Sequence, residues 1–157
     1  MATVLEWSLK SFQELELEEL YAFGQLRQEV FIIEQNCPYL DFDGKDAACQ
    51  HLMGHYKGAL VAYTRLVPLG VSYANAASIG RVVSSPALRG QGLGKALMIE
   101  SLAAVQQLWG TVPITISAQD YLLRFYEGFD FVDSGKKYLE DDIPHTEMHW
   151  KGIHQEQ

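Results

Sequence analysis

The patterning of the chain predicts an α+β fold: a mixed, largely antiparallel sheet with a layer of helices on each face and a pair of parallel strands at its centre. Two observations carry this. The periodicities run in the order strand, helix, several strands, helix, strand, helix, two strands. A long helical pattern from Leu93 to Trp109 also connects the strand-like segments Ser78 to Ser84 and Val112 to Ser117. A crossover of that length makes the two strands parallel neighbours with a right-handed connection.

Val4 to Ser8 alternates as a short strand, and Leu15 to Ile33 reads as a helix with Leu17, Leu20, Tyr21, Gly24 and Phe31 near one stripe. Leu52 to Val67 reads as two strands joined at Lys57-Gly58, with Gly58 as the turn residue. In the helix from Leu93 to Trp109, residues Leu93, Leu97, Met98, Leu102, Ala104, Val105, Leu108 and Trp109 share about half the wheel. Lys95, Glu100, Gln106 and Gln107 fall opposite, so one face packs on a sheet, and Gly110 is the expected terminator.

The 157 residues, 48% of them hydrophobic, suit one domain spanning 1–157. A chain of this length buries roughly 70% of its unfolded surface. No run approaches the roughly 20 apolar residues that span a bilayer. Met1 to Lys10 carries Glu6 and lacks the pattern of a signal peptide, so the expected location is cytoplasmic. A formal net charge of −8 argues against nonspecific nucleic-acid or membrane binding and favours a cationic partner such as an amine. Cys37 and Cys49 have no spaced Cys or His partners, and no metal site is expected from them, from His51 and His55, or from Asp41, Asp43 and Asp46. Those three acids read as a solvated loop.

Between the strand ending at Ser84 and the helix beginning at Leu93 lies Arg89-Gly90-Gln91-Gly92-Leu93-Gly94-Lys95. Such a loop can gather several backbone N–H groups at a helix start, where orphan donors and the positive end of the dipole make a cradle for an anion such as a pyrophosphate. A Walker A loop is excluded twice, since Ala96 follows Gly94-Lys95 and Arg89 stands where its first Gly is required. A dinucleotide fingerprint needs a third Gly where Lys95 stands and an acid at the end of the next strand, which Val112 to Ser117 lacks. A tight strand-to-helix turn with no ligand remains the alternative.

The loop, taken with the preceding Ile79-Gly80-Arg81-Val82-Val83-Ser84, the Ser85-Pro86 break, the strand Ile114-Thr115-Ile116-Ser117 and the helix opened by Ala118-Gln119 and ending Phe125-Tyr126-Glu127, resembles the GNAT superfamily of N-acetyltransferases. Glu34-Gln35-Asn36-Cys37-Pro38-Tyr39 with Asp41 and Asp43, and Ile143-Pro144-His145, resemble its ElaA subgroup in particular. The resemblance implies a twisted sheet whose two parallel strands splay apart so that coenzyme A enters between them. It further implies that Arg89, Gly90, Gln91, Gly92, Leu93, Gly94 and Lys95 hold the pyrophosphate, that the backbone of Val82, Val83 and Ser84 pairs with the pantetheine arm, and that Gln119 holds this arm by its amide. Tyr126 matches the family's acid at the coenzyme's sulfur; on spacing alone it reads as a helix-end aromatic packed beside Phe125. One departure is Asp130-Phe131 where the family has Gly-Phe, which asks Asp130 to take a left-handed conformation.

The implied activity is transfer of an acetyl group from acetyl-CoA to an amine by direct attack, with a noncatalytic acyl-CoA-binding module as the alternative. A lysine-like amine of pKa about 10.4 costs roughly 4.6 kcal/mol to neutralise at pH 7, whereas an α-amino group near 7.7 costs about 1. The need for a base therefore depends on the acceptor. Candidates are Glu34, at the end of the first helix, and His145, in the loop before the last strand; each also reads as an ordinary solvated or hydrogen-bonded residue. Arg81, a charge inside an apolar strand, either binds an acceptor carboxylate or pairs with an acid of the Asp41 to Asp46 stretch. The identity of the amine, the acyl length and the oligomeric state, a homodimer included, are open at this level.

Overall fold

A computed structural model of the chain describes residues 4–152. The strands are β1 (Glu6–Ser11), β2 (Gln50–Tyr56), β3 (Ala59–Val67), β4 (Ser78–Ser84), β5 (Thr115–Gln119), β6 (Phe131–Glu140) and β7 (Ile143–Trp150), and the α-helices are α1 (Leu17–Arg27), α2 (Leu93–Trp109) and α3 (Leu123–Glu127). Strands β1-β2-β3-β4 form one antiparallel sheet, and β5-β7-β6 form a second. The two meet at a parallel bridge between Ala77 and Ile114. There the Ala77 N–H donates to Pro113 O and the Thr115 N–H to Ala77 O, both at 2.9 Å. Beyond that point β4 and β5 share no ladder among the described residues, so the expected parallel pair is present and splayed, and the mixed sheet is split along it.

Helices cover both faces. On one face Leu93 and Leu97 of α2 pack with Leu52, Val61 and Ala62, while Met98, Ala104 and Val105 reach Leu66, Ile79 and, across the splay, Ile114, Ile116 and Met148. The amphipathic stripe read from the sequence is the one buried. On the other face Phe23 and Leu26 of α1 pack on Met53, Tyr63 and Val83. Burying a side chain such as Phe23 stabilises by about 2–3 kcal/mol.

The first strand is Glu6–Ser11 rather than Val4 to Ser8, β5 begins at Thr115 rather than Val112, and further details also differ from the sequence reading. Leu17 and Tyr21 are exposed, and the buried side of α1 is Phe23, Leu26 and Arg27. An arginine on the packing face hides that face from any hydrophobic periodicity. The helix does not run on as regular α but widens into a π-helical segment, Gln28–Glu34. Residues Ala118 and Gln119 belong to β5, not to the following helix. The turn at Lys57-Gly58 is as expected, with φ of 50° and 83°, and Asp130 does take the left-handed conformation, φ 74°.

Strand β4 carries a bulge that shapes the site. Val83 pairs with Tyr63 and Gly80 with Arg65, so Arg81 and Val82 together stand opposite Thr64. Arg81 has φ 51°, in the left-handed region that costs a non-glycine residue of order 1 kcal/mol. The bulge lies in the part of β4 that shares no ladder with β5 among the described residues.

Candidate functional site

The splay opens a cleft of about 930 Å³. Of the residues singled out from the sequence, Arg81, Val82, Val83, Ser84, Arg89, Gln119, Tyr126 and His145 line it. Glu34 and the run from Gly90 to Lys95 lie outside its lining. The glycine loop sits beside the open end of the splay as the start of α2. Gly92 is the N-cap with φ 73° and offers no side-chain cap, and Gly90 has φ 82°. The first N–H groups of α2 are thus left for a ligand or water. Leu93 is buried under the helix and serves as its anchor, while Gly94 allows Phe125 to approach to 3.6 Å of the place a Cβ would take.

Tyr126 is buried between Phe125 and Phe131, with edge-on ring contacts at centroid distances of 5.1 and 6.1 Å. Burial pushes its phenol well above the ordinary value, and the neighbouring Tyr121 adds to this. The hydroxyl therefore stays protonated across the physiological range and keeps a hydrogen to donate. Gln119 closes the opposite side, its Nε2 donating to Gln35 Oε1 at 3.4 Å.

His145 is a strand residue, not the loop residue expected. It sits inside β7 opposite Gln119 of β5, is buried, and stacks on Tyr138 with ring centroids 6.0 Å apart. Its Nδ1 lies 2.7 Å from Ile143 O. A carbonyl only accepts, so Nδ1 donates its hydrogen to Ile143 O, and Nε2 lies 3.5 Å from Glu140 Oε2. Glu34 is placed otherwise: it ion-pairs with Arg89 across the open end of the splay. Both partners are substantially exposed, so the pair contributes little to stability.

Arg81 takes the ion-pair reading. Its Nε donates to Asp41 Oδ1 at 2.7 Å and its Nη2 to Asp41 O at 3.0 Å. The acids expected in a solvated loop are counter-ions to three arginines. Fully buried Arg27 bonds Asp41 Oδ2 at 2.8 Å and Asp46 Oδ1 at 2.7 Å, and Arg65 grips Asp43 with both Nη atoms at 2.8 and 3.0 Å. Burial disfavours the charge on Asp43, yet the hydrogen bonds from Arg65 and the Lys45 N–H outweigh it and hold the carboxyl well below its ordinary range. Three cations match three carboxylates, so the 41–46 segment forms a fixed wall of the cleft.

Sequence reasoning missed Arg27 and Arg65 in this cluster, and Tyr39, Tyr73 and Tyr121 in the cleft lining. The signal for Arg65 was present: it is a charge inside the apolar run of β3, as Arg81 is in β4. Nothing comparable marks Tyr73 and Tyr121, whereas Tyr39 lies in the Glu34 to Tyr39 stretch that carries the resemblance.

A family model described as Acetyltransferase (GNAT) domain matches residues 34–151. The chain belongs to this family of acetyltransferases and has the fold of acyl-CoA acyltransferases. It is similar to Protein ElaA of Escherichia coli, at 40% identity over 147 residues covering 92% of this chain and 95% of the relative. The crystal structure of Escherichia coli ElaA superposes with a TM-score of 0.87 at 38% identity, over 94% of this chain and all of that one. An acyl-CoA N-acyltransferase from Pseudomonas aeruginosa is similar at 46% identity and a TM-score of 0.87, over 94% of this chain and 99% of the other.

Proposed function

We propose that the protein transfers an acetyl group from acetyl-CoA to a primary amine by direct attack within a ternary complex. The observation that carries this is the splay itself. Two parallel strands bridged, among the described residues, at Ala77 and Ile114 leave the main chain of Val82 to Ser84 without a β5 ladder, in a cleft that Gln119 also lines, and the start of α2 has a glycine N-cap with no side-chain cap. An extended amide-bearing arm fits between those strands, and a pyrophosphate fits at the N–H groups of Gly90 to Lys95 beside Arg89.

In this reading the amine nitrogen bonds to the thioester carbon, the carbonyl becomes an oxyanion, and the carbon–sulfur bond then breaks. Backbone N–H groups at the β4 bulge are the donors available to the oxyanion. Tyr126 donates a hydrogen bond to the sulfur as negative charge develops there. His145 takes the proton from the nitrogen through Nε2; it lines the cleft, whereas Glu34 does not and is ion-paired with Arg89. Arg81, spent on Asp41, acts on the shape of the bulge rather than on an acceptor carboxylate.

Mass-spectrometric screening of acetylated products over small amines and peptides, with acetyl-CoA as donor, tests the proposal. Release of coenzyme A coupled one-to-one to an acetylated amine is the expected result. Tight coenzyme A binding without turnover on any amine would instead make the protein an acyl-CoA-binding module.

A further inference from the structure

Gly80 lies in the middle of β4 and lines the cleft. A glycine inside a strand weakens it, because it loses more freedom on folding and packs no side chain. Three circumstances explain such a residue: a positive φ, a neighbour that a Cβ would meet, or a ligand that comes close to the backbone. Gly44, Gly58, Gly70, Gly90, Gly92, Gly110 and Gly135 have positive φ. Gly24, Gly54, Gly94, Gly128 and Gly152 each have atoms of the fold within 4 Å of the Cβ position, from Phe42, Trp7, Phe125 or Trp150. Gly80 has neither: its φ is outside the left-handed region, and nothing beyond its chain neighbours lies within 4 Å.

The direction of that open space is defined by register. Gly80 pairs with Arg65, whose guanidinium reaches Asp43 and Asp46, so a side chain at 80 would stand on the same face. That is the face on which the 41–46 wall and His145 line the cleft, and it is opposite the one buried under α2. Gly80 also precedes the bulge at Arg81 and Val82, so it lies deeper in the splay than the main chain assigned to the coenzyme's arm.

We infer that Gly80 determines acceptor specificity: the space over its Cα seats the body of the primary amine beside its nitrogen, close against the β4 backbone. This rests on the acetyltransferase reading above. A Cβ here meets no atom of the protein within 4 Å beyond its chain neighbours, so what it obstructs is the acceptor.

Gly80→Ala and Gly80→Val test this, assayed with a series of primary amines graded in bulk at the carbon next to nitrogen. The Tm of Gly80→Ala should be unchanged or raised by up to about 4 °C, and coenzyme A affinity by calorimetry should match wild type. Its kcat/KM for the amine should fall about 10-fold, and that of the Val variant about 100-fold, with bulkier amines losing more. A folded Val variant with wild-type kcat/KM throughout the series overturns the assignment, as does loss of coenzyme A affinity in place of amine efficiency. Failure of the wild type to acetylate any amine overturns the acetyltransferase reading itself and the Gly80 inference with it, which separates the two failures.

Discussion

Arg81 Nε donates to Asp41 Oδ1 at 2.7 Å, tying the bulge of β4 to a loop forty positions earlier in the chain. The same aspartate receives Arg27 from beneath, so one carboxylate joins α1, the loop and the strand that lines the cleft. A left-handed arginine is thereby held where its own backbone preference is against it.

This cluster should make the fold acid-sensitive in two stages. Burial lowers the affinity of His51 for its proton, so the unfolded chain takes up that proton first; stability is complete above the unfolded histidine value near 6.5 and declines as pH falls below it. Asp43 and Asp46 are held below the ordinary carboxylate range mainly by Arg65 and Arg27 against the opposing effect of burial. Their contribution is present above the unfolded value of about 3.9 and is lost as pH drops further. Urea midpoints measured from pH 8 to pH 3 check this, and a flat profile down to pH 4 would contradict the first stage.

If Arg89 holds the coenzyme's phosphates as proposed, Glu34, its ion-pair partner, competes with them for it. Arg89→Ala should weaken coenzyme A binding by roughly 1.5–3 kcal/mol, with a loss that shrinks at high salt. Glu34→Gln should leave kcat within about 3-fold of wild type and bind the coenzyme as tightly or more so, because Arg89 is released toward the phosphates. A collapse of kcat in Glu34→Gln, with binding intact, would return Glu34 to the role of base.

Gly92 caps α2 at φ 73°, a conformation that a β-branched residue resists. Gly92→Val should therefore distort the N–H cradle and weaken coenzyme A at least about 100-fold while the fold survives, since no neighbouring atom obstructs the side chain. Unchanged affinity by calorimetry in a folded variant would remove this loop from the site.

Tyr126→Phe keeps the ring packed between Phe125 and Phe131 and deletes only the hydroxyl. With its phenol pushed above the ordinary 10, proton transfer to a thiolate of about 8.5 is uphill by more than about 2 kcal/mol, so in the proposed mechanism the hydroxyl acts through a hydrogen bond. The variant should lose roughly 10- to 1000-fold in kcat with coenzyme affinity nearly unchanged. Wild-type kcat, with chemistry shown to be rate-limiting, would make Tyr126 a packing residue.

By itself the sequence determined the strands and helices whose signals are local. The stripe of α2 with Gly110 behind it, the turn at Lys57-Gly58, the limits of β4 and the glycine-rich helix start all follow from periodicity and backbone preference within a few residues. The resemblance carried by those segments also foretold the splay and the strand-to-helix loop. Only the tertiary structure decided which charges meet. Arg27, Arg65 and Arg81 are written far apart among apolar residues, and their common partners in the 41–46 segment look like a hydrophilic loop until the chain closes over them. The buried face of α1 was hidden for the same reason, because a fully paired arginine packs there as a core residue does. His145 moved from an expected loop into a strand because its pairing with Gln119 and Tyr138 depends on neighbours in space, which no local pattern encodes.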